Sequence, residues 1–215
     1  VDRKDTSVHP RLLKKKLRDC IKDKLLHLSP EFKEQASRII CNHLMNFFSR
    51  LDAFPTAVVG FFHLEDEPDL RPFFQALAET FPSVKLGFPR VEGETLTFYV
   101  PSSIPGKPDE SEWVEGPFGI REPRSHLPRF GAEIPWGNRP LVLVPGRVFD
   151  YRGGRIGRGK GYYDRFLHEL RAKEKNPLSL GVCFSLQIVD TVPLEPGDEL
   201  MDCIITEQGT YFRSS

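Results

Sequence analysis

Several features that would assign this chain to a class at once are missing or scarce. Its four cysteines, Cys20, Cys41, Cys183 and Cys203, form no C-x-x-C pair and no compact spacing, which speaks against a disulfide framework or a zinc site. Charge of one sign is lacking too: 30 Lys and Arg balance 30 Asp and Glu, so the bulk charge gives no reason to expect nucleic acid or a membrane surface as partner. No apolar run approaches the roughly 18–20 residues needed to cross a bilayer, and the polar N-terminal stretch has no signal-peptide apolar region. The expected location is cytoplasmic, or organellar if a transit peptide has been removed. Repeats, low-complexity tracts and a nucleophile elbow for Ser/His/Asp catalysis are absent, and none of the six histidines has a partner at metal spacing. At 215 residues the chain suits one domain over 1–215, with 1–9 flexible.

What is present is concentrated between Leu141 and Leu167. An apolar β-branched run, Val142 to Val144, leads into Gly153, Gly154, Gly157, Gly159 and Gly161, interleaved with Arg152, Arg155, Arg158 and Lys160. Tyr162, Phe166 and Leu170 then recur at helical spacing, so the loop presents backbone N–H groups at a helix N-terminus, an arrangement suited to an anion. The run from Gly154 through Lys160 matches a P-loop up to its lysine but has Gly161 where a Ser or Thr should ligate Mg²⁺. The dinucleotide pattern fails as well, because the third glycine comes one residue early. Taken alone, the motif is either a phosphate site or a solvated βα turn.

The rest of the chain alternates helices and strands. Leu13, Leu17, Ile21 and Leu25 predict an amphipathic helix over 10–27 with Lys14 and Arg18 off its apolar row. Ser29-Pro30-Glu31 starts a second helix, with Ala36, Ile40, Leu44 and Phe48 as its buried stripe. A strand over 57–62, the acidic loop Glu65 to Asp69, a helix over 70–80, strands over 85–89 and 95–100 and a turn at Gly93-Glu94 follow. The proline-rich stretch 101–139, with charged residues from Lys107 to Glu115, reads as irregular chain with one short helix. A strand over 141–145, a helix over 161–175 and strands over 178–184 and 203–206 complete the pattern. The expected fold is a three-layer α/β sandwich with a mostly parallel or mixed central sheet and helices on both faces. Ligands collect beyond the carboxyl ends of such strands, so the acidic and glycine loops are expected to face each other across one crevice.

The signature Pro145-Gly146, Phe149-Asp150 and Gly154 through Asp164 resembles that of the 5-formyltetrahydrofolate cyclo-ligase family, also called methenyltetrahydrofolate synthetase. Lys14 with Leu17-Arg18, Glu67, Pro89-Arg90, Gly119-Ile120, Glu122-Pro123, Gln187, Pro193, Asp198 and Ile205-Thr206-Glu207 are further family-like pieces in order, covering roughly Leu13 to Gly209. The resemblance implies ATP- and Mg²⁺-dependent cyclisation of 5-formyltetrahydrofolate to 5,10-methenyltetrahydrofolate through an N5-iminium phosphate, by a monomer with no nucleic-acid or membrane partner.

The same resemblance implies roles. Arg158 and Lys160 are the catalytic cations. ATP is held by Lys14, Lys15, Lys16, Leu17, Arg18, Arg155, Gly157, Arg158, Gly159, Lys160, Gly161, Tyr162 and Tyr163. The folate is held by Phe62, Glu67, Arg158, Gly159, Lys160, Gly161 and Tyr162, and Mg²⁺ by Asp164 and Asp198. Adjacent helical residues point about 100° apart, so one of the two tyrosines, Tyr162, is expected to line the site. Two positions depart from the family pattern: Leu70, where relatives carry Thr, and Gly197, where they carry His or Asn. These motivate one alternative, a relative that binds nucleotide or folate without turnover. The basic helix and Arg-rich loop motivate the other, a nucleic-acid-binding module.

Overall fold

In the computed structural model, residues 10–103, 110–116 and 119–213 are described; the flexible segment expected over 1–9 and the start of the charged stretch, 107–109, lie outside them. Helix α1 runs Pro10–Leu26 and α2 Pro30–Ser49. The start of α2 follows from its sequence: Ser29 accepts a hydrogen bond from the Phe32 N–H at 3.1 Å, and Pro30 fills the first turn, where its missing donor is not needed. Strand β1 (Ala57–Val59), helix α3 (Arg71–Thr80) and the hairpin β2 (Lys85–Glu92) and β3 (Thr95–Tyr99) come next. The hairpin turns at Gly93, whose φ of +62° suits glycine.

A short ribbon of β4 (Trp113–Glu115) and β5 (Arg121–Pro123) occupies the stretch expected to be irregular. Strand β6 (Leu141–Val144), a second ribbon of β7 (Val148–Phe149) and β8 (Arg155–Ile156), helix α4 (Tyr162–Ala172) and strands β9 (Leu178–Val182), β10 (Cys203–Thr206) and β11 (Gly209–Phe212) complete the order. Helix α4 stops short of 175, and Glu174 and Asn176 just beyond it take positive φ.

The main sheet has the order β11-β10-β9-β6-β1-β2-β3, parallel through β10 to β2 and antiparallel at both edges. Its inner strands β1, β6, β9 and β10 are buried on both faces because alternate residues serve two cores. Val58, Leu141 and Leu143 join Ile21, Leu25, Ile40, Leu44, Phe48 and Phe73 from α1, α2 and α3. Ala57, Val59, Val142 and Val144 face Phe166, Leu167 and Leu170 of α4, with Phe130 and Trp136. Each fully buried Leu or Phe in these layers contributes about 1.5–3 kcal/mol. The expected three-layer sandwich with a mixed sheet is the observed one.

One expectation is corrected on α1. Leu13 is 39 % exposed and Lys14 only 6 %, so the buried row is Lys14, Ile21 and Leu25. Lys14 turns inward because two acids wait there: its Nζ lies 2.9 Å from Glu195 and 2.5 Å from Asp198.

Strand order reverses between β1 and β6, which pair in parallel with Val58 opposite Leu141. From β1 the chain moves to β2 on one side; from β6 it moves through β9 to β10 on the other. The loops leaving β1 and β6 therefore diverge, and divergence opens a crevice at their carboxyl ends.

Candidate functional site

A cleft of about 490 Å³ lies at that point. The loop after β1 supplies Leu64 and Glu67, and the chain after β6 supplies Pro145, Gly146 and Arg147. The β7–β8 ribbon then carries the glycine loop to the start of α4, bringing Arg155, Gly157, Arg158, Lys160, Gly161, Tyr162 and Tyr163 to the wall. Buried Asp150 fixes the ribbon: Oδ1 accepts from Arg152 and Gly154 N–H at 2.9 and 2.8 Å, and Oδ2 from Val192 N–H at 2.7 Å. Gly161 caps α4 with φ +68°, and Gly159 has φ +99°, conformations that strain any side-chain-bearing residue. The glycines thus let the backbone bend tightly where α4 presents its first N–H groups.

The cations of the cleft differ in how they are engaged. Arg158 crosses to the acidic loop, with Nη2 2.5 Å from Asp66 Oδ1 and 2.9 Å from Glu67 Oε1, and Nε 3.2 Å from Glu67 Oε1. Arg147 holds the other oxygen of Asp66. Burial, together with the neighbouring Arg158 guanidinium, pushes Arg147 down to about 10, so it stays cationic at neutral pH. Arg155 is 6 % exposed; Nη1 donates to the Pro145 carbonyl at 3.1 Å and Nη2 to Asp164 Oδ2 at 2.8 Å, while buried Nε has no protein partner. Lys160 is exposed on the lining and makes no hydrogen bond or ion pair with the described residues. An unpaired ammonium on the lining beside the glycine loop is a surface suited to phosphate.

The proposed metal carboxylates approach one another through neighbouring residues. Asp164 Oδ1 accepts from the Glu199 N–H at 3.4 Å, next to Asp198 in the chain. Asp198 uses Oδ2 for Lys14 and for the Glu195 N–H at 2.7 Å. Both are hard oxygen donors of the kind Mg²⁺ selects, yet no group of three or more His, Cys, Asp or Glu among the described residues could hold a metal alone. Any Mg²⁺ held by this pair would need other oxygens, such as nucleotide phosphates, to complete its shell.

The remaining expected residues divide. Of the N-terminal basic group, Arg18 lines the cleft and donates from Nε to the Gly157 carbonyl at 2.8 Å. Lys15 and Lys16 are exposed and outside the lining, Leu17 packs on the core, and Lys14 is committed to its acids. Both tyrosines border the cleft, where one was expected. Tyr163 also packs on Phe98, with its phenol pushed up by burial, and Tyr162 donates to the Gly93 carbonyl at 3.3 Å. Phe62 is not on the lining; it packs at 4.9 Å from Trp113 and 5.3 Å from Phe88. Leu70 is a core residue and likewise off the lining, and Gly197, with φ +92°, sits in a turn that favours glycine.

Sequence reading singled out neither Asp66 nor Arg147. Gln187, 1 % exposed, supports Arg147 by donating from Nε2 to the Gly146 and Arg147 carbonyls at 2.8 and 3.2 Å. Another depression, of about 450 Å³ over Phe47, Leu51, Leu178 and Phe212, lacks any such convergence of acids and cations.

Comparison with known proteins places the chain. The model of the 5-formyltetrahydrofolate cyclo-ligase family matches residues 11–207. A 5-formyltetrahydrofolate cyclo-ligase of Saccharomyces cerevisiae is 36 % identical over 99 residues, 45 % of this chain and 44 % of the relative. The mitochondrial one of Arabidopsis thaliana is 43 % identical over 76 residues, 32 % of this chain and 27 % of the relative. The matches thus span less than half the length of these two curated relatives. The NMR structure of Aquifex aeolicus 5,10-methenyltetrahydrofolate synthetase superposes with a TM-score of 0.72 at 29 % identity, covering 94 % of each chain.

Proposed function

The chain belongs to the 5-formyltetrahydrofolate cyclo-ligase family, and from that premise we propose that it converts 5-formyltetrahydrofolate and ATP to 5,10-methenyltetrahydrofolate, ADP and phosphate. The observation that carries this reading is the meeting, in one cleft, of unpaired Lys160, the glycine loop and the carboxylate of Glu67. One half suits a triphosphate. The other suits the amino and ring N–H donors of a pterin.

The chemistry explains why cations outnumber nucleophiles here. A formamide oxygen leaves poorly, so it first attacks the γ-phosphorus of ATP; an O–P bond forms, the bond to the bridging oxygen breaks, and ADP departs. The resulting N5-iminium phosphate is attacked at carbon by N10, which then loses its proton. The carbon–oxygen bond breaks, and phosphate leaves with the electron pair. Such transfer needs in-line positioning and neutralisation of negative charge more than a protein nucleophile. Arg158 and Lys160 supply charge at the transferred group. Arg155, Arg18 and the backbone N–H groups from Gly157 to Gly161 hold the remaining phosphates, and Tyr162 offers its ring to the folate. Asp164 and Asp198 would hold Mg²⁺, which would supply further charge neutralisation for the nucleotide. A single domain acting as a monomer in the cytoplasm goes with this reading.

The test is the near-ultraviolet absorbance of the methenyl product in a mixture of purified protein, 5-formyltetrahydrofolate, ATP and Mg²⁺. A rise that needs all four components supports the reading. A flat trace with folded protein defeats it, and ligand-induced thermal stabilisation without product would then favour binding without turnover.

A further inference from the structure

Glu67 holds two of the three side-chain bonds that Arg158 makes. If the pterin donors take the Oε1 of Glu67, Arg158 loses both, and only the 2.5 Å contact from Nη2 to Asp66 Oδ1 remains. That contact uses one Nη2 hydrogen and leaves Nε and the other Nη2 hydrogen open, the side-on edge that Glu67 held and that a phosphoryl group needs.

Asp66 is itself held. Its second oxygen is paired with Arg147. The backbone of Arg147 is tied down by buried Gln187, and its side chain is only 11 % exposed. A chain of contacts therefore runs from the core through Gln187, Arg147 and Asp66 to Arg158. A long, 36 % exposed arginine would otherwise be free among many rotamers once its substrate-facing partner was taken.

Resting on the function proposed above, we propose that Asp66 is a positioning residue that keeps Arg158 aimed at the transferred phosphoryl group while Glu67 is occupied by the folate. Asp66 touches neither substrate and acts through Arg158. Because it is also an anion beside the phosphate site, its removal has two opposite effects: the cation is less well aimed, and nucleotide meets less repulsion.

The test compares wild-type and Asp66→Asn protein in steady-state kinetics with both substrates varied. Expected is a fall in kcat of tenfold or more with a KM for ATP that is unchanged or lower. A loss of folded protein alone would lower kcat with no change in KM, so the second arm is a double-mutant cycle with Arg158→Lys. If Asp66 acts through Arg158, adding Asp66→Asn to Arg158→Lys costs less than twofold more; losses that multiply overturn the proposal. Asp66→Ala repeats both arms if the asparagine variant does not fold. Wild-type protein with no turnover would sink the proposed function itself, whereas an active wild type with an equally active Asp66→Asn sinks only the role of Asp66.

Discussion

Arg155 and Asp164 are joined across the first turn of α4, Nη2 to Oδ2 at 2.8 Å, while Nε of the same guanidinium is buried without a protein partner. Leaving a buried donor unpaired costs about 1–3 kcal/mol, and Arg155 also lines the cleft where the phosphates are proposed to bind. Arg155→Lys deletes that donor and the planar fork. The expected outcome is a melting temperature of the empty protein near wild type, with at least about tenfold weaker binding of a non-hydrolysable ATP analogue. Calorimetric titration checks it, and wild-type affinity would remove Arg155 from the phosphate site.

Lys160 has no partner among the described residues to lose, so truncation should separate stability from activity. Lys160→Ala is expected to shift unfolding free energy by no more than about 0.5 kcal/mol. Turnover should fall by about 10²-fold or more, the scale on which a charge-stabilising group acts at a developing anion. Denaturant titration and the absorbance assay measure the two halves.

Gly161→Ala tests the backbone at the helix cap. A Cβ there lies 2.9 Å from Arg165 Nη1, which can move, but the φ of +68° cannot be relieved without shifting the loop. A destabilisation of about 1–2 kcal/mol is expected, together with weaker nucleotide binding, because the first N–H groups of α4 turn away from the cleft.

His63 supplies a pH dependence. Burial pushes it below its ordinary value of 6.5, against the pull of Asp69 at 3.4 Å. The unfolded chain therefore takes a proton before the folded protein does. Stability contributed by neutral His63 is fully present above 6.5 and is lost as pH falls from 6.5 towards the lowered folded value. His63→Gln should flatten this part of the stability curve, read from denaturation midpoints at successive pH values; an unchanged slope would discount His63.

The major elements were legible because their signals are local. Apolar runs at 57, 141, 178 and 203 and helical spacing in α2, α3 and α4 need no distant partner to be read. The ribbons β4–β5 and β7–β8 were not, since strands of three and two residues carry no measurable period. Edge strand β11 was missed for a similar reason: its inner and outer faces are only partly covered, so its pattern lacks contrast. Within the site, the glycine loop and Glu67 could be found from the motif, whereas nothing in Glu65-Asp66-Glu67 says which acid meets an arginine. Register decides it, leaving Glu65 exposed, Asp66 half-buried and Glu67 buried. Lys14 misled for the most physical reason, its partners lying far away in the chain.

The Lys14–Asp198 contact joins residues 184 apart in sequence. During synthesis α1 emerges well before Asp198, so Lys14 waits on the core-facing row until the segment carrying its acids leaves the ribosome. A nascent chain halted before Glu195 leaves the Lys14 cation without these two acids. The charge pairing that completes the docking of α1 thus waits for that segment. Since α1 also supplies Arg18 to the cleft, the cleft wall is complete only once α1 has docked.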